Sequence, residues 1–225
     1  MQLSEEFAAL HLRFAKRVRE RAGLELTAAL RDWTPAGRQA AAAWAEIGSA
    51  PDAHWLWRAY QSGPIARTRP SSGCFHLTSM ADEGVLRLHF ANAEGSGVLG
   101  ADRLPLRRRE LATTLAAARA ASPRAELLRG GSWLYNLASY RTLFPPSFLA
   151  SATAADPRKH LGSGSLWGQF LRGDGTLYEP RVAPFVRAFE RARTPEELVA
   201  AFPLPRLDLL GPIDDVMTWS ERYSG

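Results

Sequence analysis

The chain of 225 residues has no run of about 18 apolar residues, the length a bilayer-spanning helix requires, so no such helix is expected. Its first residues, MQLSEEF, lack the basic and apolar regions of a secretory leader, and a cytoplasmic location is expected. One cysteine, Cys74, rules out an internal disulfide and a cysteine-built metal cluster. Lysine is scarce too. Of 28 basic residues only Lys16 and Lys159 are lysine, leaving 26 arginines, and the net charge of +5 comes with abundant alanine. Such a bias reflects GC-rich, bacterial-type coding as much as an affinity for polyanions, so nucleic acid is not the expected partner. No Gly-x-Ser-x-Gly elbow, P-loop or His-Glu-x-x-His helix occurs, leaving serine hydrolase, P-loop nucleotide hydrolase and typical zinc protease chemistry without support. No repeat at solenoid or propeller spacing is present.

What remains is an ordinary globular composition, 46% hydrophobic and 23% charged, in a chain long enough to bury roughly 70% of its unfolded surface. One domain over 1–225 is expected, in three parts: helical 1–61, a sheet core over 74–144, and a mostly helical 166–225. Ser4 is a natural N-cap, with Glu5 and Glu6 in the first turn and Phe7, Leu10, Phe14 and Val18 at helical spacing before Gly23. A second helix is predicted from Ala36 to Ile47, and a short one carries His54 to Tyr60. His11 falls beside the apolar stripe of the first helix and reads as a boundary residue. Toward the C-terminus, Gly173-Asp174-Gly175 marks a turn between two short strands, Gln169 to Leu171 and Thr176 to Tyr178. Helix follows over Ala183 to Ala192, restarts at Thr194-Pro195, and gives way to an apolar stretch around Val216, Met217 and Trp219.

The centre of the chain is the most informative part. Cys74 to Thr78 and Val85 to Phe90 are separated by a connection suited to an antiparallel hairpin. In that register Phe75, Leu77, Leu86, Leu88 and Phe90 share an apolar face, and Cys74, His76, Arg87 and His89 share the other. A helix-like Leu104 to Ala121 and a second strand, Ala125 to Arg129, complete a βαβ unit. The predicted fold is therefore α+β: a small mixed β-sheet containing a βαβ unit, flanked by helices, with a helical N-terminal region.

Between the first strand of that unit and its helix lies Asn92-Ala-Glu-Gly95-Ser-Gly97-Val-Leu-Gly100. Gly95-x-Gly97-x-x-Gly100 matches a dinucleotide fingerprint literally, but Pro105 places the helix start five residues beyond Gly100, and no acidic residue stands about 20 positions further on a strand end. Exposed amides beside a helix N-terminus nonetheless suit a phosphate.

The segment from 85 to 144 resembles the acyl-CoA N-acyltransferase superfamily at three places in order. In that family a strand leads into Gln or Arg, two residues, Gly, one residue, then Gly or Ala; here Asn92 heads the motif, with Gly95 and Gly97 in the glycine places. A second strand and a helix beginning near Asn136 and carrying Tyr140 and Phe144 follow. The resemblance implies acyl-CoA as cofactor, bound through Asn92, Gly95, Gly97, Gly100 and Asn136, and a transferase moving the acyl group to a small amine. It also implies an oxyanion held by backbone N–H groups of the first strand, with Tyr140 protonating the departing thiolate. His76 and His89 are candidate bases, and Glu83 and Glu94 are equally permitted.

Further candidates come from the residues themselves. Arg129, Trp133 and Tyr135 cluster at the predicted end of the second strand, where they would bind substrate by pairing an anion and covering a ring or apolar chain. That loop and the glycine loop should face one cleft. His76 and His89, with Glu94 or Asp82, also suit a divalent metal, which gives an alternative reading as a metal-dependent small-molecule enzyme. Arg107-Arg108-Arg109 point in different directions around a helix and read as a solvated helix start. A non-catalytic protein binding a partner or nucleic acid through its arginines is the remaining alternative. Trp33, Trp44, Trp55 and Trp57 fit core packing or an aromatic wall, and His160 lies in a polar loop.

Overall fold

The computed structural model describes residues 3–23, 52–62, 73–80, 84–92, 97–155 and 164–222. The predicted helix over Ala36 to Ile47, Trp33, Trp44, Gly95, His160, and the carboxylates Asp82, Glu83 and Glu94 lie outside the described residues. Two compact units emerge from the contacts: Met1–Ala66 with Ala155–Pro205, and Arg67–Ala154 with Arg206–Gly225. The fold is α+β with a helical N-terminus, as the sequence indicates.

In the first unit, α1 (Glu5–Ala22) starts where Ser4 caps it, its hydroxyl accepting from the Phe7 N–H at 3.2 Å, and ends at Gly23 in the left-handed region at φ 64°. Helix α2 (Ala53–Ser62) packs on α1: His11 Nδ1 and the Tyr60 hydroxyl share a hydrogen bond of 2.6 Å. His11 is fully buried and so is not a boundary residue. Its predicted position beside the stripe became interior because α2 covers that flank. Trp167, closing α6 (Gly164–Trp167), stands edge-on to Phe7, Phe14, Phe185 and Phe202, which ties α1 to α7 (Glu179–Arg191) and to the turn after α8 (Pro195–Ala200). Gln169 to Phe170 belongs to a 3-10 turn rather than to the expected strand, and only Leu171 and Leu177 bridge across the Gly-Asp-Gly turn.

The second unit is built on a five-stranded mixed sheet in the order β1 (Phe75–Met80), β2 (Val85–Phe90), β3 (Leu127–Ser132), β5 (Leu207–Pro212), β4 (Thr153–Ala154). β1 and β2 form the expected hairpin, with Phe75 opposite Phe90 and His76 opposite His89. α3 (Leu104–Ala121) carries the chain over to β3, which runs parallel to β2. β3 begins two residues later than predicted and absorbs Gly130, Gly131 and Ser132. After it come a 3-10 turn (Trp133–Asn136) and the short helices α4 (Ala138–Arg141) and α5 (Pro146–Ala150). β5, unforeseen in a region read as helical, pairs antiparallel with β3 and leads straight into α9 (Ile213–Arg222).

One face of this sheet is covered. Leu86, Leu88, Leu128 and Leu209 pack with Leu111 and Leu115 of α3, Ile213 and Val216 of α9, and Tyr135, Tyr140, Phe144 and Phe148. Arg107 and Cys74 depart from expectation here. Cys74 precedes the strand and turns toward α3, where Arg107 Nη1 lies 2.6 Å from its Sγ and 2.6 Å from Glu110 Oε2. Arg107 is thus fully buried rather than a solvated helix start, its charge matched by a carboxylate one turn away. Among the described residues no helix is long and apolar enough to cross a membrane.

Candidate functional site

The two parallel strands share only part of their length. Val85 to Leu88 stand opposite Leu127 to Gly130, and there the ladder ends, although each strand continues two residues further. Ala91 donates its N–H to the Cys74 carbonyl at 2.8 Å, so by strand alternation the N–H of Phe90 faces away from β1, toward β3 and beyond the last rung. This parting lies at the carboxyl ends of parallel strands, the edge where open α/β sheets place ligands.

On the covered side of the parting stand two tyrosines. The Tyr135 hydroxyl fills the space where Gly130 lacks a Cβ, and the Tyr140 ring stands edge-on to Tyr135 with centroids 5.1 Å apart. Burial pushes both phenols well above the ordinary tyrosine range, so both stay protonated at any physiological pH. The Tyr140 ring also meets Phe90 edge-on, with centroids 5.6 Å apart. Trp133, half-buried, and Asn136, whose side-chain amide donates to the Trp133 carbonyl at 2.7 Å, complete this end of β3.

Past β2, Asn92 is exposed. Gly97 has φ 73°, which favours glycine, and its carbonyl accepts from the Gly100 N–H at 2.8 Å. Gly100 in turn accepts from Arg103 and Leu104 as α3 begins. Its amide is therefore spent inside the turn. The Asp102 carboxylate stands beside Gly100, where an added Cβ would approach Oδ1 to 2.7 Å. Arg103 stands at the N-cap of α3 without a side-chain hydrogen bond to the helix's first amides, and Pro105 sits in the first turn as the sequence predicts.

The histidines occupy the other face of the sheet. His76 and His89 stack across the hairpin, centroids 4.6 Å apart and planes within 9°, and His89 Nε2 shares a 3.0 Å hydrogen bond with the Thr78 hydroxyl. Desolvation, then His76, Arg87 and Arg206, hold the His89 imidazole down at about 4; desolvation lowers His76. Both are neutral at pH 7. Parallel rings direct their lone pairs in parallel rather than to one point, and among the described residues no three metal-ligating side chains gather.

Arg129 belongs with the histidines, not with Trp133 and Tyr135. It stands opposite Arg87 within β3 rather than at the strand end, and alternation turns it to the face away from Tyr135. The single cleft expected for Arg129, Trp133 and Tyr135 is thus divided by the sheet. Two participants escaped the sequence reading: Arg206 and Asp208. Arg206 lies over Gly131 and pairs with Asp208 through Nε at 2.9 Å and Nη2 at 2.8 Å. The signal available was the short polar–apolar alternation of Arg206, Leu207, Asp208 and Leu209 after Pro205.

No family model matches this chain, and neither a curated protein nor a solved structure matches it significantly.

Proposed function

We propose that the β2–α3–β3 unit is an acyl-transfer site that moves an acyl group from a coenzyme A-like thioester to a small amine. The observation that carries this reading is the parting of β2 and β3 after Leu88 and Gly130, with an unladdered Phe90 N–H on one side and the Tyr135–Tyr140 pair below. The amine nitrogen attacks the thioester carbonyl, and the oxygen that becomes an oxyanion accepts from the Phe90 N–H. Collapse of the tetrahedral adduct forms the amide and breaks the C–S bond. Tyr140, held protonated by burial, supplies the proton to the thiolate. The amine proton leaves to water, since the neutral His76 and His89 stand on the opposite face of the sheet from Tyr140.

The test is thiol release from acetyl-CoA across a panel of primary amines, together with melting curves in dephospho-coenzyme A. Amine-dependent release and a raised melting temperature are expected. Release no faster than buffer with every amine, and no thermal shift, would sink the reading.

A further inference from the structure

We propose that the outer edge of β1 pairs with the same edge of a second copy of this chain, antiparallel, about a twofold axis through Thr78. β1 ends the sheet on one side and pairs only with β2. In an antiparallel pair the hydrogen-bonding groups of successive residues point to alternate sides of the strand. Ala91 donates its N–H to the Cys74 carbonyl, and that pairing continues the register in which His76 faces His89 and Thr78 faces Arg87. His76 and Thr78 therefore bond to β2. The N–H and carbonyl of Leu77 and Ser79 point the other way and make no hydrogen bond with any described residue. Thr78 and Ser79 are exposed, so this half of the edge reaches water, whereas Phe75 is fully buried and takes no part.

An open edge is a template for another strand, and proteins that stay monomeric guard theirs with lysine, proline, a bulge or a very short strand. The opposite edge of this sheet is guarded in that way, since β4 has only two residues. β1 has six, FHLTSM, with no Asp, Glu, Lys, Arg or Pro, and its register with β2 runs without a bulge. The occupant is a second copy because this edge is complementary to itself. With Thr78 opposite Thr78, the Leu77 N–H donates to the second copy's Ser79 carbonyl, and the second copy's Ser79 N–H donates to the Leu77 carbonyl. The twofold repeats both bonds beyond Thr78, which satisfies every outward group of Leu77 and Ser79. The central threonine pair is a favourable cross-strand contact, and no like charges within the two strands meet. β2 separates this edge from the parted strands, and nothing in the pairing uses acyl chemistry.

The experiment is sedimentation of the full chain over a dilution series reaching the millimolar range, with amide hydrogen exchange measured at both ends of the series. Wild type is expected to pass from monomer to dimer as concentration rises. The Leu77 and Ser79 amides should exchange more slowly in the dimer, while the Thr78 amide, already bonded to β2, should not change. Ser79→Pro removes an outward N–H at a position where an edge strand accepts proline, and it should weaken the dimer by at least about tenfold through the bond lost on each side of the twofold. Ser79→Ala keeps the amide and should dimerise as wild type does. Thr78→Pro removes a bond to β2 instead and should lower the melting temperature of the dilute protein, which Ser79→Pro should leave near the wild-type value. A wild type that stays monomeric throughout the series overturns the proposal, as does a dimer of equal strength in Ser79→Pro. A dimer whose Leu77 and Ser79 amides exchange as fast as in the monomer also overturns it, by placing the contact elsewhere.

Discussion

The phenol oxygen of Tyr135 sits where a side chain on Gly130 would begin, so the last rung between β2 and β3 is closed on its covered side by a hydroxyl. The fit has a direct consequence. Gly130→Ala should destabilise the protein by about 1–3 kcal/mol through overpacking. Tyr135→Phe should relieve only part of that loss in the double variant, because ring atoms Cζ and Cε2 also lie within 2.7 and 2.9 Å of the added methyl. Urea unfolding of the two single variants and the double variant measures this. Full recovery in the double variant would contradict the packing described.

Tyr140→Phe separates packing from chemistry. Loss of its hydroxyl, buried against Tyr135, should cost about 1 kcal/mol of stability. If Tyr140 is the acid of an acyl transfer, turnover should fall by about 10²–10⁴. Turnover equal to wild type, measured by thiol release, would remove Tyr140 from the mechanism.

Arg107 is the buried cation most exposed to a simple test. Arg107→Ala leaves the Glu110 carboxylate, mostly shielded from water, without its 2.6 Å partner and should destabilise by about 3–5 kcal/mol. Arg109→Ala, two residues along on the exposed side of the same helix, should change stability by less than about 0.5 kcal/mol. Equal losses in denaturant unfolding would show that the buried pair is not the source.

Acidification should weaken the fold through the imidazole stack. In the unfolded chain His89 takes up a proton near 6.5, but in the folded state desolvation, His76, Arg87 and Arg206 delay uptake to about 4. Between those values the unfolded state binds more protons, so stability is full above pH 6.5 and falls as the pH drops toward 4. Discounted for partial exposure, the loss is about 1 kcal/mol, or roughly 2–4 °C in Tm. His89→Gln should flatten that part of the profile in melting curves. A profile unchanged by the substitution would assign the acid sensitivity elsewhere.

Much of this architecture could be read from local pattern. Ser4, Gly23, Thr194 and Pro105 mark helix ends because capping and proline chemistry act within a few residues. The alternation of Val85 to Phe90 predicts which side chains face the core, and the register pairs Leu77 with Leu88 and His76 with His89 as that alternation requires. The βαβ order followed from the switch of period between strand and helix.

Other features depend on partners distant in the chain, and no local pattern encodes them. Arg107 reads as solvated beside Arg108 and Arg109, yet a thiol 33 residues away and Glu110 draw it inside. Arg206 lies 77 residues after Arg129 and joins it only because β5 pairs with β3. The amino-acid sequence alone determined the elements, their faces and their order, since these follow from propensity and periodicity. Only the tertiary structure decided that Arg129 stands with the histidines instead of with Tyr135, because strand pairing, a contact between remote segments, chooses which residues share a face of the sheet.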